Sequence, residues 1–164
     1  MPDPASQPRL THLDETGAAR MVDVTAKSPT VRTASATAFV ACSPRIVAAL
    51  RDGSVPKGDV LAVARVAGIA AAKRTPELLP LAHVIGVHGC AVDLVIEEEG
   101  VRISTTVRTA DRTGVEMEAL TAATVAGLAI VDMVKGVDRG VSLREAQVTA
   151  KSGGRSGDWV RPAD

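Results

Sequence analysis

The chain has 164 residues, of which 46% are hydrophobic and 23% charged. That is one domain with enough apolar content for a core, too short for two ordinary domains and too hydrophobic for a disordered chain. One Phe, one Trp and no Tyr exclude a nucleic-acid reader built on aromatic stacking, and 19 basic against 19 acidic residues exclude a polybasic binder of DNA or membrane. Cys42 and Cys90 are too few for a four-cysteine metal site, and no His, Cys and carboxylate group has metal-ligand spacing, so no metal site is expected. The first residues show no basic stretch followed by an apolar one, and a cytoplasmic location is the expectation.

Residues 1–20, with Pro2, Pro4 and Pro8 among polar residues, read as a mobile arm, 21–158 as one domain, and 159–164 as a tail. Thr30 to Cys42 is rich in β-formers and predicts a strand. Ser43-Pro44 reads as cap and first residue of a helix to about Asp52, with Gly53 as its stop. Asp59 caps a second helix to about Lys73, after which Pro76 and Pro80 break the chain. Cys90–Glu98 and Val101–Thr109 alternate as a hairpin across Glu99-Gly100. Thr113 and Glu116 have capping-box spacing for a long helix that Gly136 ends. Its interior, Ala119 to Val131, carries no charge; that run is below the ~20 residues of a membrane span, and asks to be covered by a sheet on one side and a second subunit on the other. A last strand spans about Val141–Ala150. With the first two helices taken as one crossover, this is the split β-α-β order of a ferredoxin-like α+β fold: an antiparallel sheet with helices on one face, in an oligomer.

Two residues break helix-end rules. Asp132 is an anion in the last turn of the long helix, where the dipole disfavours it, with Lys135 three residues on as an ion-pair partner; Lys57 is a cation just before a helix N-terminus. Such violations gather at functional sites, although a surface ion pair and a solvated loop lysine also account for them. Glu116 and Glu118 suit the first helical turn on dipole grounds alone. His83 lies in an apolar stretch, where a satisfied core or loop histidine is the ordinary reading, and imidazole is also a common acid–base group in enzymes. Lys151-Ser-Gly-Gly-Arg-Ser-Gly157 is either a flexible linker or a basic glycine loop whose N–H groups wrap phosphate; the order of a Walker A motif is absent.

Six blocks in order resemble one family: Met21-Val-Asp-Val24, Lys57-Gly-Asp59, Ala64-Arg-Val-Ala-Gly-Ile69, Ala72-Lys-Arg-Thr75, Thr113-Gly-Val-Glu-Met-Glu-Ala-Leu-Thr121 and Ala150-Lys-Ser-Gly-Gly-Arg-Ser-Gly157. They are similar to cyclic pyranopterin monophosphate synthase, the molybdenum cofactor biosynthesis protein C family, from about Leu10 to Asp158. Val84 stands where the family often has Pro after its histidine, and Arg155 where it often has Lys. The resemblance implies a homo-hexamer, a trimer of dimers, with sites at subunit interfaces. The implied substrate is 3′,8-cyclo-7,8-dihydroguanosine 5′-triphosphate, and the products are cyclic pyranopterin monophosphate and diphosphate.

Residue by residue, the resemblance places catalytic groups at Lys57, Lys135 and Asp132, and substrate binding at Leu81, Ala82, His83, Glu116, Met117, Glu118 and Lys151. The reaction rebuilds a purine-derived ring and closes a cyclic phosphate, so it needs acid–base groups and charge stabilisation but no redox cofactor; Mg2+ accompanying the triphosphate is compatible with it. Two lysines facing one another depress one another's pKa and make one a base, while Lys151, assisted by Arg155, suits the triphosphate. The alternatives are a non-catalytic nucleotide-sensing oligomer or an inactive copy on the same scaffold.

Overall fold

The computed structural model describes residues 12–163. The elements in order are β1 (Thr30–Ala41), α1 (Pro44–Asp52), α2 (Val60–Lys73), α3 (Thr75–Leu78), β2 (Gly89–Ile96), β3 (Gly100–Asp111), α4 (Glu116–Val134), β4 (Ser142–Ser152) and β5 (Trp159–Val160). The fold is α+β, with five strands in the order β2-β3-β1-β4-β5 and every neighbouring pair antiparallel.

Alternation decides which sheet face is covered. Ala34, Ala36, Ala38 and Val40 of β1 and Val101, Ile103, Thr105 and Val107 of β3 are buried on one face, while Ser35 and Thr106 meet on the other with hydroxyls 3.1 Å apart. α4 crosses the apolar face, and α2 packs beside α4 and over β2. The small residues permit close approach: a Cβ on Gly68 would lie 2.9 Å from the Ala122 carbonyl of α4. One buried polar group, the Thr105 hydroxyl, lies 2.8 Å from the Ala119 carbonyl and 3.3 Å from that of Ala36.

Two helix starts follow their local sequence. The Ser43 hydroxyl accepts from Ile46 N–H and the Asp59 carboxylate from Ala62 N–H, each satisfying an orphan donor of the first turn. Gly53 takes the left-handed conformation that closes α1. The long helix departs from expectation at both ends. It begins at Glu116 after Val115, with no side-chain cap, so there is no capping box at Thr113. At its other end Gly136 is not left-handed; the turn closes through Val137 and Asp138 N–H groups on the Val134 carbonyl.

α4 is also longer than its charge-free run. Its 19 residues, with mean hydropathy 1.6 over the most apolar window, are long and apolar enough to cross a bilayer; half of that window is buried in this fold, as befits a core helix. Leu128 remains 53% exposed on its outer side.

Two other expectations change. Trp159 and Val160, expected in a tail, pair with Lys151 and Ala150 as β5. Of the expected mobile arm, residues 1–11 lie outside the described residues, and Leu13 bridges Ala19 across a turn capped by the Asp14 carboxylate. A β-bulge interrupts β4 where Glu145 adopts φ 55°, and Arg102, stacked 4.6 Å over Phe39, holds its carboxylate at 3.2 Å.

Candidate active site

The sheet has two ends, and α4 runs from one to the other. At its C-terminal end the two rule-breaking residues meet. The Lys57 ammonium donates to the Asp132 backbone carbonyl at 2.7 Å and to its carboxylate at 3.2 Å. That carbonyl is one of the last four of α4, and a cation is favoured there. Lys57 is therefore misplaced for α2 because it serves α4. Lys135 holds the other carboxylate oxygen at 2.7 Å. An anion thus stands between the two ammonium groups, where two cations facing one another were expected. Hydrogen bonding from Lys135, then from Lys57, pulls the Asp132 carboxyl below the usual aspartate range. Lys57 and Lys135 line a cavity of about 490 Å3 together with Val131, Gly136, Arg139 and Val141.

At the N-terminal end, β1 begins, β3 and β4 end, and the turn from β3 into α4 crosses over them. Thr30 pairs with Asp111 and Ala34 with Lys151, which brings residues 30, 111 and 151 to one edge of the fold. Freed from capping, the Glu116 carboxylate pairs with Lys151 at 3.0 Å. Gly114 makes room for it, since a Cβ there would collide with that carboxylate. The loop after Lys151 is an ordered turn and not a flexible linker: Asp158 accepts from Gly153 N–H at 3.2 Å, and Gly153, Gly154 and Gly157 are left-handed. At Gly154 a Cβ would strike the Arg32 guanidinium.

Two adjoining cavities open here. The larger, about 460 Å3, is lined by Leu81, Ala82, His83, Glu116, Met117 and Glu118, with His12, Val22, Val24, Lys27, Thr113 and Gly114. The smaller, about 210 Å3, shares Lys27, Thr113, Gly114 and Glu116 and adds Arg32, Thr33, Lys151, Ser152, Gly153 and Ser156. Glu118 is 3% exposed. Burial pushes its carboxyl above the usual glutamate range, the nearby Glu116 adds to this, and His83 opposes it. The His83 ring is fixed by its Nε2, 2.6 Å from the Val22 carbonyl; a carbonyl only accepts, so Nε2 carries the proton.

The structure therefore gathers Leu81, Ala82, His83, Glu116, Met117, Glu118 and Lys151 at one end of α4, and Lys57, Asp132 and Lys135 at the other. Between Glu118 and Asp132 the helix rises ~21 Å. Arg155 is exposed and does not line the cavity that holds Lys151. In its place stand Lys27 and Arg32, which sequence reasoning passed over. Lys27 follows Met21-Val-Asp-Val24, a block with no residue that singles out a role, and a loop lysine looks solvated until the fold turns it onto a cavity.

A buried carboxyl facing a second carboxylate and an oriented histidine, next to a cation-lined recess, is the equipment of an acid–base enzyme. The model of the MoaC family matches residues 21–154. The chain is 57% identical over 160 residues to the cyclic pyranopterin monophosphate synthase of Streptomyces avermitilis, covering 98% of this chain and 94% of that one. Against the synthase of Streptomyces coelicolor it is 58% identical, over 94% of this chain and 91% of the relative. Against cyclic pyranopterin monophosphate synthase 2 of Mycobacterium tuberculosis it is 51% identical, over 93% and 91%. The chain belongs to the MoaC family.

Proposed function

We propose that this chain forms cyclic pyranopterin monophosphate, the product its relatives are named for, in molybdenum cofactor biosynthesis, acting as a lyase that releases diphosphate. The substrate in this reading is 3′,8-cyclo-7,8-dihydroguanosine 5′-triphosphate. The observation that carries it is the adjoining of two cavities of different chemistry at one end of α4. The larger suits a fused ring: Leu81, Ala82 and Met117 supply apolar contact, and His83, Glu116 and Glu118 supply hydrogen-bonding groups. The smaller suits phosphates, because Lys27, Arg32 and Lys151 line it with glycine-loop backbone. When a substrate hydroxyl gives its proton to the general base of the site and attacks the α-phosphorus, the bond to the bridging oxygen breaks and its electron pair leaves with diphosphate; Lys151, Lys27 and Arg32 then hold the developing charge. Mg2+ enters as an ion brought by the triphosphate, and no resident cofactor takes part.

Lys57 and Lys135 are the acid–base pair of this proposal, with Asp132 orienting both. Since they lie at the far end of α4 from Glu118, a complete site takes its two halves from two subunits. The exposed apolar side chains of Leu128, Val63 and Val66 on the helical side support a partner surface. The assembly we propose is a hexamer, a trimer of dimers, in the cytoplasm. The order β2-β3-β1-β4, with helices against one face, supports reading the fold as ferredoxin-like and residues 21–158 as the catalytic unit. The experiment is direct: incubate the cyclic dihydroguanosine triphosphate with the protein and measure diphosphate. Binding without release would favour a nucleotide-sensing oligomer or an inactive copy on the same scaffold.

A further inference from the structure

Lys27 reaches its cavity from a segment with little of its own to hold it. Of Met21–Pro29, which precedes β1, Val22 and Val24 are half-buried and the other seven residues are exposed. The segment folds on itself at two points: Asp23 accepts from Thr25 N–H, and Lys27 N–H donates to the Val24 carbonyl. Such local turns shape a segment without fixing its place. Among the described residues, two hydrogen bonds tie it to the rest of the fold, and both run from a side chain to a backbone carbonyl. His83 Nε2 holds the Val22 carbonyl at 2.6 Å, and Arg112 Nε holds the Lys27 carbonyl at 2.9 Å.

Arg112 opens the turn between β3 and α4, and Asp111, the last residue of β3 beside it, holds another cation of the recess. The carbonyl of Asp111 accepts from Arg32 Nε at 3.1 Å, and the Asp111 carboxylate accepts from Arg112 N–H at 2.7 Å. Arg112 itself lines neither cavity and is exposed, so its charge does not face the recess directly.

We infer that Arg112 is a positioning residue. It anchors the Met21–Pro29 strap by the Lys27 carbonyl, His83 anchors it by the Val22 carbonyl, and together they present the Lys27 ammonium to the anion-binding recess. The role given to Lys27 rests on the reading proposed above; the tethering itself does not. It follows that His83, with its Nε2 proton committed to the strap, turns only Nδ1 to other partners.

The test uses the full chain. Arg112→Met is expected to raise KM for the cyclic dihydroguanosine triphosphate about tenfold while kcat stays within about twofold, as for one lost hydrogen bond to a charged donor. Trypsin should cut the Lys27–Ser28 bond about fivefold faster, read by mass spectrometry, because local opening exposes it. In a Lys27→Ala background, Arg112→Met should change KM no further, the signature of a residue that acts through another. Unchanged cleavage at Lys27 would overturn the tether. A full additional KM effect in the Lys27→Ala background would overturn the positioning role. If Lys151→Ala leaves KM unchanged, or the parent protein releases no diphosphate, the reading of the recess fails, and the cleavage rate still decides whether Arg112 holds the strap.

Discussion

Lys57 and Asp132, 75 positions apart, are joined twice: the ammonium holds both the carboxylate and the backbone carbonyl of the same residue. Each residue opposes the dipole of its own helix end, and the pairing satisfies both. Lys57 and Lys135 are about half exposed, so neither is needed to fill a core. Lys57→Ala and Lys135→Ala should each abolish turnover while thermal unfolding stays close to that of the parent. A variant retaining more than about a tenth of the parent kcat/KM, a loss under ~1.4 kcal/mol, would take that lysine out of the mechanism.

Lys151 stands between Glu116 and the glycine loop, 3.0 Å from the one and 3.4 Å from Ser156 of the other. Lys151→Ala should weaken binding of the triphosphate roughly tenfold to a hundredfold, the range of one charge-assisted contact, and leave the dephosphorylated nucleoside nearly unaffected. Equal weakening of both ligands would show that Lys151 does not touch phosphate.

The separation of the two residue clusters along α4 makes a genetic-style prediction under the proposed shared site. Glu118→Ala and Asp132→Ala proteins, each inactive, should recover part of the activity when unfolded together and refolded as mixed oligomers. An isologous interface between them contains one site with both defects and one with neither. Verified mixed oligomers that stay inactive would mean that each chain builds its site alone, with the substrate stretched along the helix.

Burial raises the Glu118 carboxyl above its usual value of 4.5. The folded chain thus holds this proton more tightly than the unfolded chain does. The group's contribution to stability is full below the unfolded value and is lost as pH rises through the folded one. Glu118→Gln should therefore melt higher than the parent at about pH 7.5, with the gap closing toward about pH 4. A gap independent of pH would show that Glu118 is not perturbed.

What the sequence revealed was what short-range chemistry decides. Ser43 and Asp59 were legible as caps because a side chain three residues from an orphan N–H satisfies it wherever the helix goes. Glu116 was misread for a related reason: its spacing from Thr113 is that of a capping box, but Lys151, brought in by the pairing of β4 with β1, takes the carboxylate instead. Two residues, Trp159 and Val160, are too few to show any period, so β5 was invisible. The resemblance named candidate residues, and the fold brings them together at the two ends of α4. Their arrangement was not legible, because the distance between the two clusters depends on which end of α4 each loop reaches.

The bulge at Glu145 has a consequence for how the molecule meets its neighbours. β4 would otherwise offer a long row of free backbone groups on its outer side, and such a row recruits foreign strands. Here β5 occupies that side at Ala150 and Lys151, and Arg161 bonds to the Val148 and Thr149 carbonyls just before them. Further back, the left-handed turn of Glu145, pinned by Arg102, throws the ladder out of step. No uninterrupted stretch is left on the outer side of β4 along which an unrelated chain can zip. The β4 edge of the sheet is thereby guarded against pairing with a foreign strand.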